Sequence, residues 1–488
     1  MPSFLCWLSF PQGRKETKFI YKKQSFIYYL FGHNNKEELH INNTILIRFL
    51  GLDYKDVDDV VFTGDINKAI ITIKLSKKPS NPCPGCGETK TLLKEYKTRQ
   101  IKHCLFQGRD TIFLLKERRY KCSSCGKTFT ETNSLSPKRS RLSYELIVKI
   151  LKLMMEWNST ICSVAKQCRV SSTTVQNVFD TYVNVPRRAL PQILSIDECY
   201  NCNLFSDPYS CILFDFDNKK IIDIIEDRAK DNLIRYFNKI EKEERNNVKY
   251  VCIDMYDTYR DIATIFFPNA LICIDSFHVI KNLNDALDKV RRRVMNDYDP
   301  KSKEYYYLKK YHDLLFAETI EYDEKQKIKK TRKWMNKMQI VQEMINIHPD
   351  LAAAYNFVHL YQHFNKTASY DEAKEKFVNY ATLPMVANVK EFIPILHMLQ
   401  NWEEYIINSF KRLPDGRRIS NGPIEGFNSN FKKSLTVANG YANFWRFRNH
   451  TIYRYNKEFK LVAVKTKIIK IKRKKRGKYN KKKTTDSG

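Results

Sequence analysis

Between Leu190 and Phe277, short apolar runs alternate with amphipathic stretches in an order that few folds accommodate. Three apolar runs come first, "QILSIDECY", "YSCILFDFD" and "KIIDIIEDR". A helical stretch, "KDNLIRYFNKI", leads to the run "VKYVCIDMY", and a second, "DTYRDIATIFF", leads to "ALICIDSF". Apolar runs of this length are typical of buried strands. The order therefore predicts a central mixed sheet flanked by helices, a multidomain α/β architecture when the rest of the chain is included.

Three of these strands are predicted to end in an aspartate: Asp197, Asp254 and Asp275. The order of strands and helices is that of ribonuclease-H-like folds, in which the first strand lies beside the fourth. Asp197 and Asp254 are therefore predicted neighbours, and a glutamate from a later helix could join them; one later helix carries Glu425. Clustered carboxylate oxygens suit Mg²⁺ or Mn²⁺, and two such ions stabilise the attacking and leaving oxygens of a phosphoryl transfer.

Other acids nearby have simpler interpretations. Glu198 adjoins Asp197, but the alternation of side chains along a strand directs it to the opposite face of the sheet. Asp257 is interpreted as the cap of the next helix. Glu425 itself is a first-turn acid of the kind that the helix dipole favours, although its place in "NGPIEGFN" favours a site residue.

Asp275 and His278 leave a choice open. Asp275 ends the fifth strand, so geometry alone would allow it to be a metal ligand; it ranks below Asp254 because the fourth strand lies beside the first. His278 either supports the site or packs as a hydrogen-bonded core histidine. Cys199 and Cys202 form a Cys-x-x-Cys pair beside the first aspartate and are interpreted as packing residues, because no second pair completes a zinc site.

A zinc ribbon is predicted at residues 79–135. Two Cys-x-x-Cys pairs, each followed by a glycine that lets the turn wrap a metal closely, supply four thiolates: Cys83, Cys86, Cys122 and Cys125. Four thiolates fill a tetrahedral structural zinc site and leave no position for a substrate. His103 and Cys104 in the spacer are interpreted as bystanders. Residues 1–78 show little pattern beyond "KAIITIKL", which alternates weakly, as a strand does.

A helix-turn-helix is predicted at residues 140–186. Apolar residues recur at helical spacing in "ELIVKILKLM", and "SVAKQCR" and "TTVQNVFDTY" flank the short segment "VSS". Ser171 and Ser172 are natural N-caps for the second helix. Because the second helix of such a domain enters the DNA major groove, four residues are candidates to face the bases: Thr173, Thr174, Gln176 and Asn177.

The charge balance indicates nucleic acid as the partner. The 488 residues include 85 Lys and Arg against 54 Asp and Glu, a formal net charge of +31. A surplus of this size implies an extended anionic partner. No run approaches the ~18 to 20 apolar residues of a membrane-spanning helix, so no membrane partner is expected. The tail at 461–488 is a run of like charge and is predicted to be largely disordered.

The stretch "YANFWRFRNHTIYRY" after the Glu425 helix mixes arginines with aromatic residues. Arg446, Arg448 and Arg454 would hold phosphates, and Trp445 would stack on an unpaired base. The alternative is a helix that packs three aromatic side chains inward: Phe444, Phe447 and Tyr453. The sequence favours neither interpretation.

Together these motifs resemble the bacterial insertion-sequence transposases of the ISL-three family, within the DDE superfamily. The resemblance covers about residues 80 to 460. It rests on the cysteine knuckles, the helix-turn-helix, "SIDE", "IDMYDTYR", "DSFHV" and "SNGPIEGFNSNFK". It implies a ribonuclease-H-like catalytic domain at 190–460, with a helical insertion at about 290–410.

The resemblance also implies roles for residues. Asp197, Asp254 and Glu425 would be the catalytic triad and the ligands of Mg²⁺ or Mn²⁺. Asp275 and His278 occupy an Asp- or Cys-x-x-His element that related families carry after the second aspartate, and are candidates to support the site.

The function implied is that of a DNA transposase. It would bind terminal inverted repeats and target DNA as a homo-oligomer, at least a dimer, with a structural Zn²⁺ and no small-molecule substrate. We expect it in the cytoplasm, associated with the nucleoid. Two other functions stay open: an inactive sequence-specific DNA-binding regulator, and a structure-selective nuclease of the same fold. The intact Asp-Asp-Glu set argues against the first, and the helix-turn-helix and zinc ribbon argue against the second.

Overall fold

The computed structural model describes residues 47, 55–78, 80–201, 207–320, 324–438 and 443–458. The basic tail at 461–488, most of the N-terminal region before residue 55, and Cys202 lie outside the described residues. The chain divides into two compact units, Met1–Leu153 with Ile161–Val178, and Met154–Thr160 with Phe179–Gly488. None of the helices in the described ranges is long and apolar enough to cross a membrane.

The first unit contains a five-stranded sheet. Its strands are β1 (Val57–Gly64), β2 (Lys68–Leu75), β3 (Thr91–Lys102), β4 (Asp110–Cys122) and β5 (Thr128–Thr130). They lie in the order β1-β2-β4-β3, with β5 also paired to β4. In β2 every second side chain is buried, as "KAIITIKL" predicted. The region before residue 79 thus contributes two strands to the sheet that carries the cysteine knuckles.

Three helices follow: α1 (Tyr144–Met154), α2 (Ile161–Cys168) and α3 (Ser172–Tyr182). A three-residue turn joins α2 to α3, and Arg169 begins it with a left-handed backbone, φ +47°. Ser171 caps α3, because its Oγ accepts a hydrogen bond from the Thr174 N–H at 3.1 Å. This is the predicted order of helix, turn and helix. Its role in DNA binding stays a prediction.

The second unit is built on another five-stranded sheet. Its strands are β6 (Ile193–Tyr200), β7 (Tyr209–Asp215), β8 (Lys220–Ile225), β9 (Tyr250–Ile253) and β10 (Leu271–Ile274). They lie in the order β10-β9-β6-β7-β8. The pairs β6–β9 and β9–β10 are parallel, and β6–β7 and β7–β8 are antiparallel. The mixed α/β prediction and the neighbouring first and fourth strands are therefore confirmed. Asp197 differs slightly from prediction, since it lies inside β6, not at its end.

Helices connect the parallel strands as predicted. Between β8 and β9 lie α4 (Lys230–Phe237) and the short α5 (Lys242–Asn246), and α6 (Asp257–Phe266) lies between β9 and β10. These crossovers return the chain to the same edge of the sheet each time, so that β6, β9 and β10 all run in one direction.

After β10 the chain is mainly helical. The elements are α7 (Ser276–Asn296), α8 (Lys303–Lys310), the hairpin β11 (Gln326–Lys327) and β12 (Trp334–Met335), then α9 (Lys337–Ile345), α10 (Pro349–Thr367), α11 (Tyr370–Ala381), α12 (Ile393–Asn401) and α13 (Glu403–Asn408). The hairpin was not predicted, because its strands are two residues long and show no alternation. One hydrophobic cluster runs from Leu190 to Phe410. The insertion therefore shares its core with one face of the sheet.

The opposite face of the sheet packs against α14 (Gly422–Ala438) and α15 (Phe444–Asn456). The cluster on this face joins β7 residues such as Ile212 and Phe214 to Phe427 of α14 and Phe447 of α15. The side chains of Phe444, Phe447 and Tyr453 are buried, as the packing interpretation of α15 required. Layers on both faces fix the sheet edge at which β6, β9 and β10 end.

Candidate active site

The strand register brings three aspartates together. Ser195 of β6 pairs with Cys252 of β9, and continuing this register by two residues sets Asp197 opposite Asp254. Ile253 of β9 pairs with Ile274 of β10, so the next pair is Asp254 and Asp275. Neighbouring strands lie about 4.8 Å apart. Asp254 is therefore the central member of a row of three acids on adjacent strands.

Helix α14 adds the fourth carboxylate. Asn421, just before the helix, donates from Nδ2 to the Ile196 carbonyl at 3.4 Å. One turn into the helix, Asn428 donates from Nδ2 to Asp197 Oδ2 at 3.3 Å and to the Glu198 carbonyl at 3.4 Å. Glu425 precedes Asn428 by three residues and so lies on the same face of the helix. These bonds fasten that face to the strand that carries Asp197.

Burial and mutual repulsion raise the pKa values of the acids. Burial raises the pKa of Asp197 to about 7, and the charges of Glu198, Asp275 and Glu425 add to the rise. Burial likewise raises the pKa of Asp254 to about 7, with Glu198 and Asp197 adding to it. Glu425 is exposed, and a smaller loss of hydration together with the charge of Asp275 raises its pKa. The mutual repulsion of these acids would be relieved by a bound cation.

Several oxygen atoms of the site accept no hydrogen bond. Among the described residues, buried Asp254 Oδ1 and Asp275 Oδ2 have no hydrogen-bond partner. The other oxygen of Asp275 accepts from the Phe277 N–H at 3.2 Å and caps α7. Asn428 Oδ1 is buried without a partner as well. Hard oxygen donors left unsatisfied in this way fit Mg²⁺ or Mn²⁺.

The acids are spread along the sheet edge. Within the described ranges, the four knuckle cysteines form a group of metal-ligating atoms that all lie within 4.8 Å of one another, and no such group of three or more includes these acids. An octahedral Mg²⁺ with ligands at about 2.1 Å needs all its oxygens within about 4.2 Å. Three of the carboxylates would therefore have to move closer together to share one ion.

A cation and two aromatic rings border the acids. Arg228 pairs with Glu198, and its guanidinium lies 4.4 Å and 4.9 Å from the ring centroids of Tyr209 and Tyr256. Arg228 opposes the rise in the pKa of Asp254. Glu198 therefore has its own partner, although its charge still acts on Asp254.

The remaining acidic and histidine candidates differ in placement. Asp257 does not cap α6, because Tyr256 holds the N-cap position; Asp257 lies exposed in the first turn and pairs with Arg260 at 2.9 Å. His278 is half-buried in the first turn of α7, and burial lowers its pKa while Asp275 opposes that change. The choice between a supporting and a packing role for His278 stays open. Cys199 is buried beside α14 residues, as a packing residue should be.

Asn428 and Arg228 were not singled out from the sequence. Asn428 follows Glu425 at helical spacing, so "EGFN" contained a signal that the two share a face. Arg228 offered no comparable signal, because its position depends on how the chain turns between β8 and α4.

The four knuckle cysteines form a second metal centre. Their sulfurs lie 3.5 to 3.6 Å apart in three of the pairs, and all four lie within 4.8 Å of one another. A tetrahedral zinc with Zn–S bonds of 2.3 Å needs sulfurs about 3.8 Å apart. The cluster thus fits the predicted structural Zn²⁺. His103 lies elsewhere, hydrogen-bonded to Ser143 at 2.9 Å.

Backbone geometry explains why the knuckles form. Thr91 pairs with Cys122, so the open end of the long β3–β4 hairpin brings the two knuckles side by side. Gly87 and Gly126 follow the two knuckles with φ of +77° and +71°, a conformation that glycine adopts without strain. The N–H groups of Cys86 and Gly85 lower the pKa of Cys83 to about 6, which favours the thiolate that binds zinc.

The predicted DNA contacts fall into two groups. On α3, Thr173 and Asn177 are exposed, whereas Thr174 and Gln176 are half-buried. They stay predictions.

On α15, Arg446 makes two hydrogen bonds to Asp180, at 2.9 and 2.6 Å. Arg448 is buried and donates to Asp223 at 2.5 Å, and Arg454 is buried and donates to the Ser159 carbonyl. Arg448 and Arg454 are therefore structural anchors of α15, not solvent-facing cations. Trp445 is 65% exposed.

Two family models match this chain, one over the acidic site and one over the cysteine knuckles. Residues 194–451 match the DDE family model of ISL3 elements, described as "Transposase". Residues 79–125 match the model described as "zinc-finger of transposase IS204/IS1001/IS1096/IS1165". The first match spans more than half of the chain and confirms the resemblance drawn from the motifs.

A curated relative is also similar to part of the chain. "Transposase for insertion sequence element IS1557" of Mycobacterium tuberculosis, in strains CDC 1551 / Oshkosh and ATCC 25618 / H37Rv, is 28% identical over 150 residues. The aligned segment is 29% of this chain and 33% of the relative. The chain thus matches about a third of that relative's length.

Proposed function

The chain belongs to the ISL3 family of DDE transposases, and on that premise we propose that it cuts and joins DNA at the ends of an insertion sequence. The observation that carries the proposal is the row of Asp197, Asp254 and Asp275 on adjacent strands, with Glu425 on the helix above them. The mycobacterial relative is named as a transposase of an insertion sequence element, which agrees with this function.

Each residue of the site has a separate task in this proposal. Asp197, Asp254 and Glu425 hold the divalent ions, and Asp275 is a further ligand next to Asp254. The bound ions supply charge neutralisation at the phosphate and an activated water. Asn428 orients the Asp197 carboxylate through its hydrogen bond. Burial of Asp197 excludes water and strengthens every charge interaction at the site.

Recognition of DNA is assigned to the N-terminal elements. The helix α3 would read the terminal inverted repeats, and the zinc ribbon would support this binding. Two ends must be handled together for both to be joined to one target, so we propose at least a dimer on DNA.

The test is metal-dependent cleavage of DNA that carries the element's terminal repeats. Asp197→Asn, Asp254→Asn and Glu425→Gln each change charge but little volume, so end binding should survive. Cleavage in Mg²⁺ or Mn²⁺ should vanish, because a neutral amide is a poorer ligand for a hard ion. Asp257→Asn, an exposed acid paired with Arg260, is the matched control and should cleave like the wild type.

The outcomes separate the alternatives. Wild-type protein that binds the ends tightly but never cleaves them would be a DNA-binding regulator. Cleavage that follows branched structure regardless of end sequence would identify a nuclease. Near-normal cleavage by Asp254→Asn together with none by Asp275→Asn would make Asp275 the second essential ligand.

A further inference from the structure

The hairpin β11–β12 concentrates positive charge on the insertion. Residues 324–337, "EKQKIKKTRKWMNK", contain seven Lys and Arg and one Glu, a net charge of +6. Six of these cations are exposed: Lys325, Lys327, Lys329, Lys330, Arg332 and Lys333. Lys333 lies 3.6 Å from Glu343. For the other five, the described part of the chain supplies no carboxylate within ion-pair distance.

The backbone of the hairpin is anchored to the insertion. Ile328 and Met335 are buried. The Ile328 N–H donates to the Lys333 carbonyl at 2.8 Å, and the Arg332 N–H donates back to the Ile328 carbonyl at 2.8 Å. The Tyr307 hydroxyl of α8 lies 3.0 Å from Thr331 Oγ1. The inner face of the hairpin is thus held against the insertion while the basic side chains face solvent.

An aromatic ring stands among these cations. Trp334 is 63% exposed. It lines an open cavity of about 530 Å³ whose wall also includes Arg332, the Glu343 carboxylate that Lys333 faces, and the amide side chains of Gln342 and Asn346. A π-face, cations and amides in one groove match the components of an unpaired nucleotide.

We propose that the hairpin and this cavity bind single-stranded DNA, with Trp334 stacked on an unpaired base and Lys329, Lys330 and Arg332 on the backbone phosphates. The choice of DNA over other nucleic acids rests on the proposed function. The chemistry is that of sequence-tolerant single-strand binding, in which aromatic stacking and a basic groove act together.

Trp445 fits this role less well. It is comparably exposed, at 65%, but the arginines beside it pair with protein carboxylates. Arg446 bonds Asp180 and Arg448 bonds Asp223. At the hairpin, an exposed indole ring lies among five exposed cations that pair with no carboxylate in the described part of the chain.

The experiment measures binding of the full chain to oligodeoxythymidylate and to an abasic oligomer of equal length. The wild type should prefer the oligomer with bases. Trp334→Ala should weaken binding of that oligomer about 5- to 150-fold, leave the abasic oligomer unaffected, and leave the melting temperature unchanged. Met338→Ala, an exposed residue on the adjacent α9, is the matched control and should behave as the wild type.

A second set of variants tests the phosphate contacts. Lys329→Gln, Lys330→Gln and Arg332→Gln combined should weaken both oligomers and reduce the slope of log Kd against log salt by about 2, since each single-strand phosphate contact contributes about 0.7. The control combines Lys374→Gln, Lys376→Gln and Lys390→Gln, exposed lysines elsewhere in the insertion. It removes the same charge and should change the slope less.

Three results would overturn the proposal: unchanged binding by Trp334→Ala, equal loss on the abasic oligomer, or equal effects of the two triple variants. Tighter binding of an oligoribouridylate than of the DNA would overturn the assignment to DNA. The assay needs no cleavage, so its outcome is independent of whether Asp197→Asn abolishes transposase chemistry.

Discussion

Ionisation of the buried Asp197 carboxyl lowers the free energy of unfolding when no cation is bound. Its pKa is raised to about 7 by burial, whereas the unfolded chain loses this proton near pH 3.8. The unfolded state therefore releases its proton first, and the free energy of unfolding falls as the pH rises from about 4 to about 7. Above pH 7 the full penalty remains until a cation binds.

Asp197→Asn should for this reason stabilise the protein in Mg²⁺-free buffer. The free energy of unfolding of the variant minus that of the wild type should grow by roughly 2–4 kcal/mol from pH 4 to pH 8, because the wild-type carboxyl ionises over this range and the amide does not. Denaturant titrations across this range, with zinc retained, measure the difference. Parallel curves for the two proteins would show that Asp197 ionises freely in the folded state.

Asn428 is the residue whose role depends entirely on a tertiary contact. Its amide donates to Asp197 Oδ2 from the helix that carries Glu425. Asn428→Ala should reduce cleavage about 10- to 100-fold and raise the Mg²⁺ concentration for half-maximal rate, as loss of such an orienting partner does.

The matched control for Asn428 is Asn430→Ala. Asn430 is exposed on the same helix and bonds only the Gly426 carbonyl among the described residues. It should leave the Mg²⁺ titration unchanged. A slower Asn428→Ala enzyme with an unaltered Mg²⁺ dependence would assign Asn428 a merely structural part.

In the zinc ribbon, the folding of strands β3 and β4 depends on the metal. Its two knuckles are brought together by the closure of β3 on β4, and the metal locks that closure. Cys83→Ser should lose the single Zn²⁺ per chain and unfold this sheet, because ligand assembly and folding are coupled.

Metal analysis and circular dichroism of the purified protein check the loss of Zn²⁺. Cys104→Ser is the matched control, since Cys104 is buried but lies outside the cluster. Full zinc content in Cys83→Ser would refute the four-thiolate site.

Elements with strong periodicity were predictable, and elements without it were not. The order from β6 to β10 followed from apolar runs, and the positions of Asp254 and Asp275 followed from that order. Strand β3 is mostly exposed on both faces, so it has no alternating pattern to detect. The strands of the hairpin β11–β12 are only two residues long and also show no alternation. In the sequence, the arginines of α15 resemble DNA contacts. Their burial could not be predicted, because it depends on the partners Asp223 and Ser159, which only the fold brings near.

At the scale of the whole molecule, the chain pairs a net charge of +31 with a compact acidic site. The surplus favours approach to DNA, but phosphates would be repelled by bare carboxylates at Asp197 and Asp254. Bound divalent ions reverse the local sign. The raised pKa values and unpartnered oxygens are therefore properties expected of a site that binds divalent cations.

The most direct measurement is strand transfer with pre-cleaved ends. DNA ends bearing a 3′-hydroxyl should be joined to a plasmid target by the wild-type protein in Mg²⁺. Ends lacking that hydroxyl should not be joined, and Asp254→Asn should join neither while still binding both. Joining by Asp254→Asn, or joining of ends without the 3′-hydroxyl, would contradict the account of this site as the divalent-metal centre of a DDE transposase.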